Sequence, residues 1–174
     1  MISRFLPWTL SLVLATSGLA QGKFIEAEAR TISFKATNFQ RHLEEMNQVL
    51  AEDLSSFQKY LELVWLHGAT KANAFVLSRA VTDLYTSEAF DNLSHPRGEE
   101  ISAHLNAMAD TSSLLGELSR QMGEYSRILS SQGPETLENP GKIEDAIRKQ
   151  VKQGELLAAD LRHSLSQLLE ILRI

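Results

Sequence analysis

Five histidines, His42, His67, His95, His104 and His163, are the side chains of this sequence best suited to hold a metal or a haem. Carboxylate-bridged di-metal bundles place a Glu-x-x-His step on each of two helices, so that imidazole and carboxylate share one inward face. Here Asp160 and His163 form a single relative of that step, while His42–Glu45 and Glu100–His104 are ordinary helix neighbours. No metal site is expected from them. A non-covalent cofactor such as haem needs two ligands that converge, and the pairing on offer is His163 with Met46, Met108 or Met122. The competing reading makes those methionines core filler and leaves His163 at the surface.

Nucleophile chemistry has no better footing. Serines are plentiful, but none lies in a Gly-x-Ser-x-Gly turn, no serine acyl-enzyme signature is complete, and no glycine-rich phosphate loop occurs. Glu44–Glu45, Glu52–Asp53 and Glu99–Glu100 are adjacent in sequence, so on a helix each pair diverges by about 100° and reads as a solvated face rather than an acid–base couple. The chain contains no cysteine, which excludes a disulfide framework, a thiolate nucleophile and a thiolate metal site. A non-enzymatic role, with no cofactor, is the expectation.

The segment after residue 98 carries the least ordinary spacing. Ile101, Met108, Leu115, Met122 and Leu129 recur at sevens, flanked by Ser112, Ser119 and Ser126 on one side and Ala109, Gly116, Gly123 and Ser130 on the other. An interior helical glycine costs about 1 kcal/mol relative to alanine. Gly116 and Gly123, at the same phase, therefore suggest either close packing of a neighbouring helix or a groove for a partner helix or small ligand beside the methionines.

These residues must be positioned by helices, since no alternating strand pattern competes anywhere. Ile25, Ala29, Ile32, Ala36, Phe39, Leu43, Met46 and Leu50 step by four and three, and the series continues through Leu54, Phe57, Leu61 and Val64 after a four-residue stutter at Leu50–Leu54. With no proline or glycine between Phe24 and His67, the pattern predicts one long first helix ending at Gly68. A second helix is read over residues 70–93 on Ala74, Leu77, Val81 and Leu84. A third starts near Glu99 and Glu100 and stops before Gly133–Pro134, and a fourth starts at Asn139–Pro140 and carries Ile143, Ile147, Val151, Leu157, Leu161, Leu165, Leu168 and Leu172. The fold class is all-α, an elongated up-down-up-down four-helix bundle with coiled-coil-like seams. A first helix that long outruns a short second one, so Ile25, Ile32 and Phe39 are expected either to present apolar surface to a partner or second copy, or to be covered by a shift of the later helices.

Residues 1–20 combine Arg4, an apolar run from Phe5 to Leu19 and the small-residue ending Gly18-Leu19-Ala20, the pattern of a secretory signal cleaved after Ala20. The run is too short for a standard membrane-spanning helix. The expected mature chain, residues 21–174, is one helical domain in a periplasm or outside the cell, with a bacterial style of signal. Its formal charge of −5 for the full chain, with both signs interspersed, excludes the concentrated basic face of a nucleic-acid binder. The basic group Arg148, Lys149 and Lys152 is diluted by Glu144, Asp145 and Glu155. Trp65, the only tryptophan beyond the signal, lies off the seam and is read as either a core cap or a binding hot spot. The expected function is protein–protein contact, with Ile25, Ile32, Phe39, Gly116 and Gly123 as candidate contact residues, as a component or adaptor of an envelope, secretion or conjugation assembly. The alternative is a periplasmic carrier that binds a small ligand or cofactor in its core.

Overall fold

Four- and three-residue spacing places one apolar face along each helix, and burying those four faces together generates the fold. The computed structural model describes residues 6–52, 56–87, 96–132 and 140–172, and the side chains of these except 6–20, 56 and 140. Four helices, α1 (Leu6–Ala51), α2 (Ser56–Tyr85), α3 (Gly98–Ser131) and α4 (Pro140–Leu172), make up the described chain, with no strand among the described residues. Each helix packs against two others, α1 on α2 and α4, and α3 on α2 and α4. The seam from Ile25 to Leu50, the sevens of α3 and the apolar positions of α4 from Ile143 to Leu168 join in one core.

The first helix does not run to Gly68. It ends at Ala51, and α2 starts at Ser56 and passes straight through Gly68. Asp53, Ser55 and Ser56 supply the short polar side chains that favour turns and helix starts, a signal that outweighs the lack of proline and glycine. Leu54 lies outside the described residues. Arg148 Nη2 donates to the Leu50 carbonyl at 2.6 Å, satisfying one of the acceptors that the end of α1 leaves open. In the same way the Tyr60 hydroxyl meets the Leu129 and Gln132 carbonyls where α3 ends.

This boundary brings the end of the first helix back from the expected Gly68 to Ala51, while its start lies at Leu6, so α1 as a whole is 46 residues long. From residue 21 onward α1 is about as long as the 30 residues of α2, the 34 of α3 and the 33 of α4, roughly 45–50 Å each. Ile25, Ile32 and Phe39 are accordingly fully buried, so they are core residues and not an unmatched seam. Phe57 and Leu61, read from sequence as a continuation of that seam, are exposed because the new helix resets the phase.

The helix directions follow from paired contacts. Between α2 and α3, His67 meets Ser126, Lys71 meets Ser119 and Ser78 meets Ser112. Between α1 and α2, Met46 meets Thr70 and His42 meets Asn73. Between α1 and α4, Leu50 meets Arg148 and Asn47 meets Glu155. Numbers fall on one helix as they rise on the other, so each of these three pairs is antiparallel.

The small residues of α3 act at the α2 seam. Ser112 Oγ donates to the Ser78 carbonyl at 2.7 Å, Ser78 Oγ returns a bond to the Ser112 carbonyl at 2.8 Å, and Ser119 Oγ donates to the Lys71 carbonyl at 3.1 Å. Side chains can reach a neighbouring backbone only where two helices come close. Added Cβ atoms at Gly116 and Gly123 would stand 3.4 Å from Ser78 Oγ and 3.3 Å from Lys71 Cε, so these glycines belong to that close approach.

A tighter approach, unmarked in the sequence, occurs at Gly154 on α4, where a Cβ would lie 2.9 Å from Leu43 Cδ1 and 3.2 Å from Phe39 Cζ. Both neighbours are fully buried and cannot swing away freely. Overpacking costs about 1–3 kcal/mol and exceeds the helical gain of about 1 kcal/mol, so Gly154→Ala is expected to lower stability in urea denaturation. Gly68→Ala, with nothing within 4 Å of the new methyl, is expected to raise it by about 1 kcal/mol.

Candidate protein-docking surface

The inner face of α2 is Leu63, Leu66, His67, Thr70, Ala74, Leu77, Val81 and Leu84, all buried. With that face assigned, Phe57, Leu61, Trp65, Gly68, Ala72, Phe75 and Val76 fall within one arc of about 100° on the opposite side. Trp65 is 65 % exposed, Phe57 58 %, Phe75 57 % and Leu61 50 %. Scattered exposed apolar residues are normal on any protein, but a continuous outer stripe on a helix that already buries its other face is not.

Beside the stripe, a groove of about 540 Å³ opens between the end of α1 and the start of α2. Val49, Leu61, Trp65 and Leu66 contribute its apolar surface, and Glu45, Glu52 and Glu62 its charge, with Gln48 between them. Arg41, one turn from Glu45, approaches it at 3.8 Å, and no lysine or arginine among the described residues lines the groove. Trp65 is held in place: its ring meets His42 edge-on at 6.2 Å between centroids, and Asn73 Nδ2 donates to His42 Nδ1 at 2.6 Å. A large aromatic already fixed in its exposed position loses little freedom on binding, which is what a contact anchor requires.

The other chemically suggestive group lies inside the bundle. His67 joins three helices, with Nδ1 2.7 Å from Ser126 Oγ on α3 and Nε2 2.9 Å from Gln150 Oε1 on α4. The amide oxygen accepts the Nε2 proton, which leaves Nδ1 to accept from the serine hydroxyl. Burial holds this imidazole below its ordinary pKa; the nearby Lys71 charge works in the same direction, and the bond to Gln150 opposes it. A serine–histidine nucleophile needs a histidine that can become a cation, supported by an anion, with substrate access to the serine. His67 is fully buried, its partner opposite Ser126 is a neutral amide rather than an anion, and burial disfavours its cation, so the group ties three helices together. No buried side-chain nitrogen or oxygen among the described residues lacks a hydrogen-bond partner.

The sequence-derived candidates are dispersed by the structure. Ile25, Ile32 and Phe39 lie in the core, and Gly116 and Gly123 lie under α2 side chains. His163 is exposed on α4 whereas Met46, Met108 and Met122 are buried, so the proposed ligand pair does not converge. Among the described residues no group of three or more histidine and carboxylate side chains is placed to hold a metal ion. No helix among them is long and apolar enough to cross a membrane. Trp65 is the one sequence candidate that lies on the exposed stripe. No protein family, curated protein or solved structure matches this chain.

Proposed function

We propose that this chain is exported by its first twenty residues and acts, as an up-down-up-down helical bundle, through protein contact on the outer face of α2. A component or adaptor of an envelope assembly, such as a secretion or conjugation apparatus, fits that role. The export reading is supported by Arg4, the apolar run from Phe5 to Leu19 and the small residues before Gln21. The contact reading is carried by one observation, the exposed stripe of Phe57, Leu61, Trp65, Phe75 and Val76 on a helix whose opposite face is already buried. Burying such a stripe releases water from apolar surface, and the surrounding charge sets the register of what covers it.

The test is the size of the species the protein forms in extract from its own cells. The wild-type chain is expected to migrate as part of a larger species. Leu61→Lys combined with Phe75→Lys is expected to release it as a lone chain with an unchanged melting temperature, because both side chains are exposed. A wild-type chain that migrates alone, or a double variant that stays in the larger species, contradicts the proposal.

A further inference from the structure

We infer that the groove between α1 and α2 receives a cationic amphipathic helix of a partner protein, an inference that rests on the protein-contact reading above. The first argument is charge. Glu45, Glu52 and Glu62 contribute three carboxylates around Val49, Leu61 and Trp65, and among the described residues only Glu45 of these has a cation within 4 Å, Arg41 at 3.8 Å. A segment with apolar residues on one face and lysine or arginine beside them satisfies both parts of the surface.

The same carboxylates disfavour the other two occupants. Pairing the groove with its own copy about a two-fold axis through it would set Glu45, Glu52 and Glu62 against their counterparts, and an anionic lipid surface would meet them with like charge. Shape provides the second argument. From Phe57 to Val76 the stripe follows one side of a single helix and spans roughly 30 Å, the length of a five-turn helix.

Gly68 provides the third. It lies on this stripe one turn beyond Trp65, and a Cβ there would meet nothing within 4 Å. Packing within the chain therefore gives no reason for a residue that costs an interior helix about 1 kcal/mol. Close approach by an outside helix does, since the missing side chain lets another backbone cross beside Trp65.

A labelled helical peptide of leucine and lysine, and its counterpart with glutamate in place of lysine, test this by fluorescence anisotropy with the full chain. The leucine–lysine peptide is expected to bind. Trp65→Ala is expected to weaken it about tenfold or more, as loss of an anchoring aromatic does. Glu45→Gln, Glu52→Gln and Glu62→Gln together are expected to weaken it by a similar factor. Asp110→Asn, Asp160→Asn and Glu170→Gln, which remove the same charge elsewhere, should change it less than about twofold, the size of a remote screened effect. Equal losses in the two triple variants, or equal binding of the glutamate peptide, overturn the inference. So does preferential Trp65-dependent binding of phosphatidylglycerol vesicles, which would assign the stripe to a membrane surface. If Leu61→Lys with Phe75→Lys dissolves the cellular assembly while the groove glutamates prove irrelevant to the peptide, the docking surface stands and the cationic partner falls. If neither readout responds to the stripe, both fall.

Discussion

Phe39→Ala is expected to cost about 3–5 kcal/mol of folding stability, the usual range for truncating a fully buried phenylalanine. Phe39 has no exposed surface and packs against Gly154 of α4, its Cζ 3.2 Å from the point a Gly154 Cβ would occupy. The ring fills the space that the glycine leaves. Its loss cannot be repaired by a neighbour sliding in, because Leu43 on the same face is already against Gly154 and fully buried. At about 2–4 °C per kcal/mol for a chain of this size, the melting temperature should fall by roughly 10 °C. Thermal and urea denaturation followed by circular dichroism read this directly. A loss below about 1 kcal/mol would show that Phe39 belongs to an exposed seam.

His67→Ala is expected to be the second most damaging change, about 3 kcal/mol, for a different reason. Removing the ring leaves Gln150, itself buried, and the Ser126 hydroxyl without their partner, and it empties a space between three helices. Each buried group left unpaired costs about 1–3 kcal/mol. A pH signature distinguishes this role from plain packing. The folded pKa lies below the ordinary value of 6.5, so as pH falls through 6.5 the unfolded chain takes up a proton that the folded chain refuses. Stability attributable to His67 is therefore level above that pH and declines below it. The wild-type chain should lose more stability than His67→Ala on going from neutral to mildly acidic urea titrations. Parallel losses would mean that His67 is protonated in the fold.

Periodicity made the core legible wherever a helix began where the pattern implied. Ile25 to Leu50, Ile101 to Leu129 and Ile143 to Leu168 fall inside as their spacing requires. The error at residues 51–56 came from treating a lack of proline and glycine as continuity, when Asp53, Ser55 and Ser56 already favoured a turn. That one boundary carried the site with it. It lengthened α1, made Ile25, Ile32 and Phe39 look unmatched, and put Phe57 and Leu61 in the core. Once α2 starts at Ser56, its outer stripe can be read from the same letters.

Other features lay beyond one-dimensional reading. Gly154 faces Leu43, and His67 meets Ser126 and Gln150, across helices whose relative register no local pattern encodes. Serines at 112, 119 and 126 were visible as a line, but their partners on α2 were not. Trp65 stood out by type and position. Whether it capped the core or faced outward depended on the phase of α2, which the misplaced helix start concealed.

The central claim, that the outer face of α2 is where this protein is held by another, is tested most directly by site-specific photo-cross-linking in its own cells. A photoreactive phenylalanine is placed singly at positions 61, 65 and 75 on the stripe, and at 110 and 160 on exposed positions of α3 and α4. Adducts of one common mass at 61, 65 and 75, with none at 110 and 160, are the result expected. Adducts confined to 110 or 160, or a stripe that yields none, would contradict it.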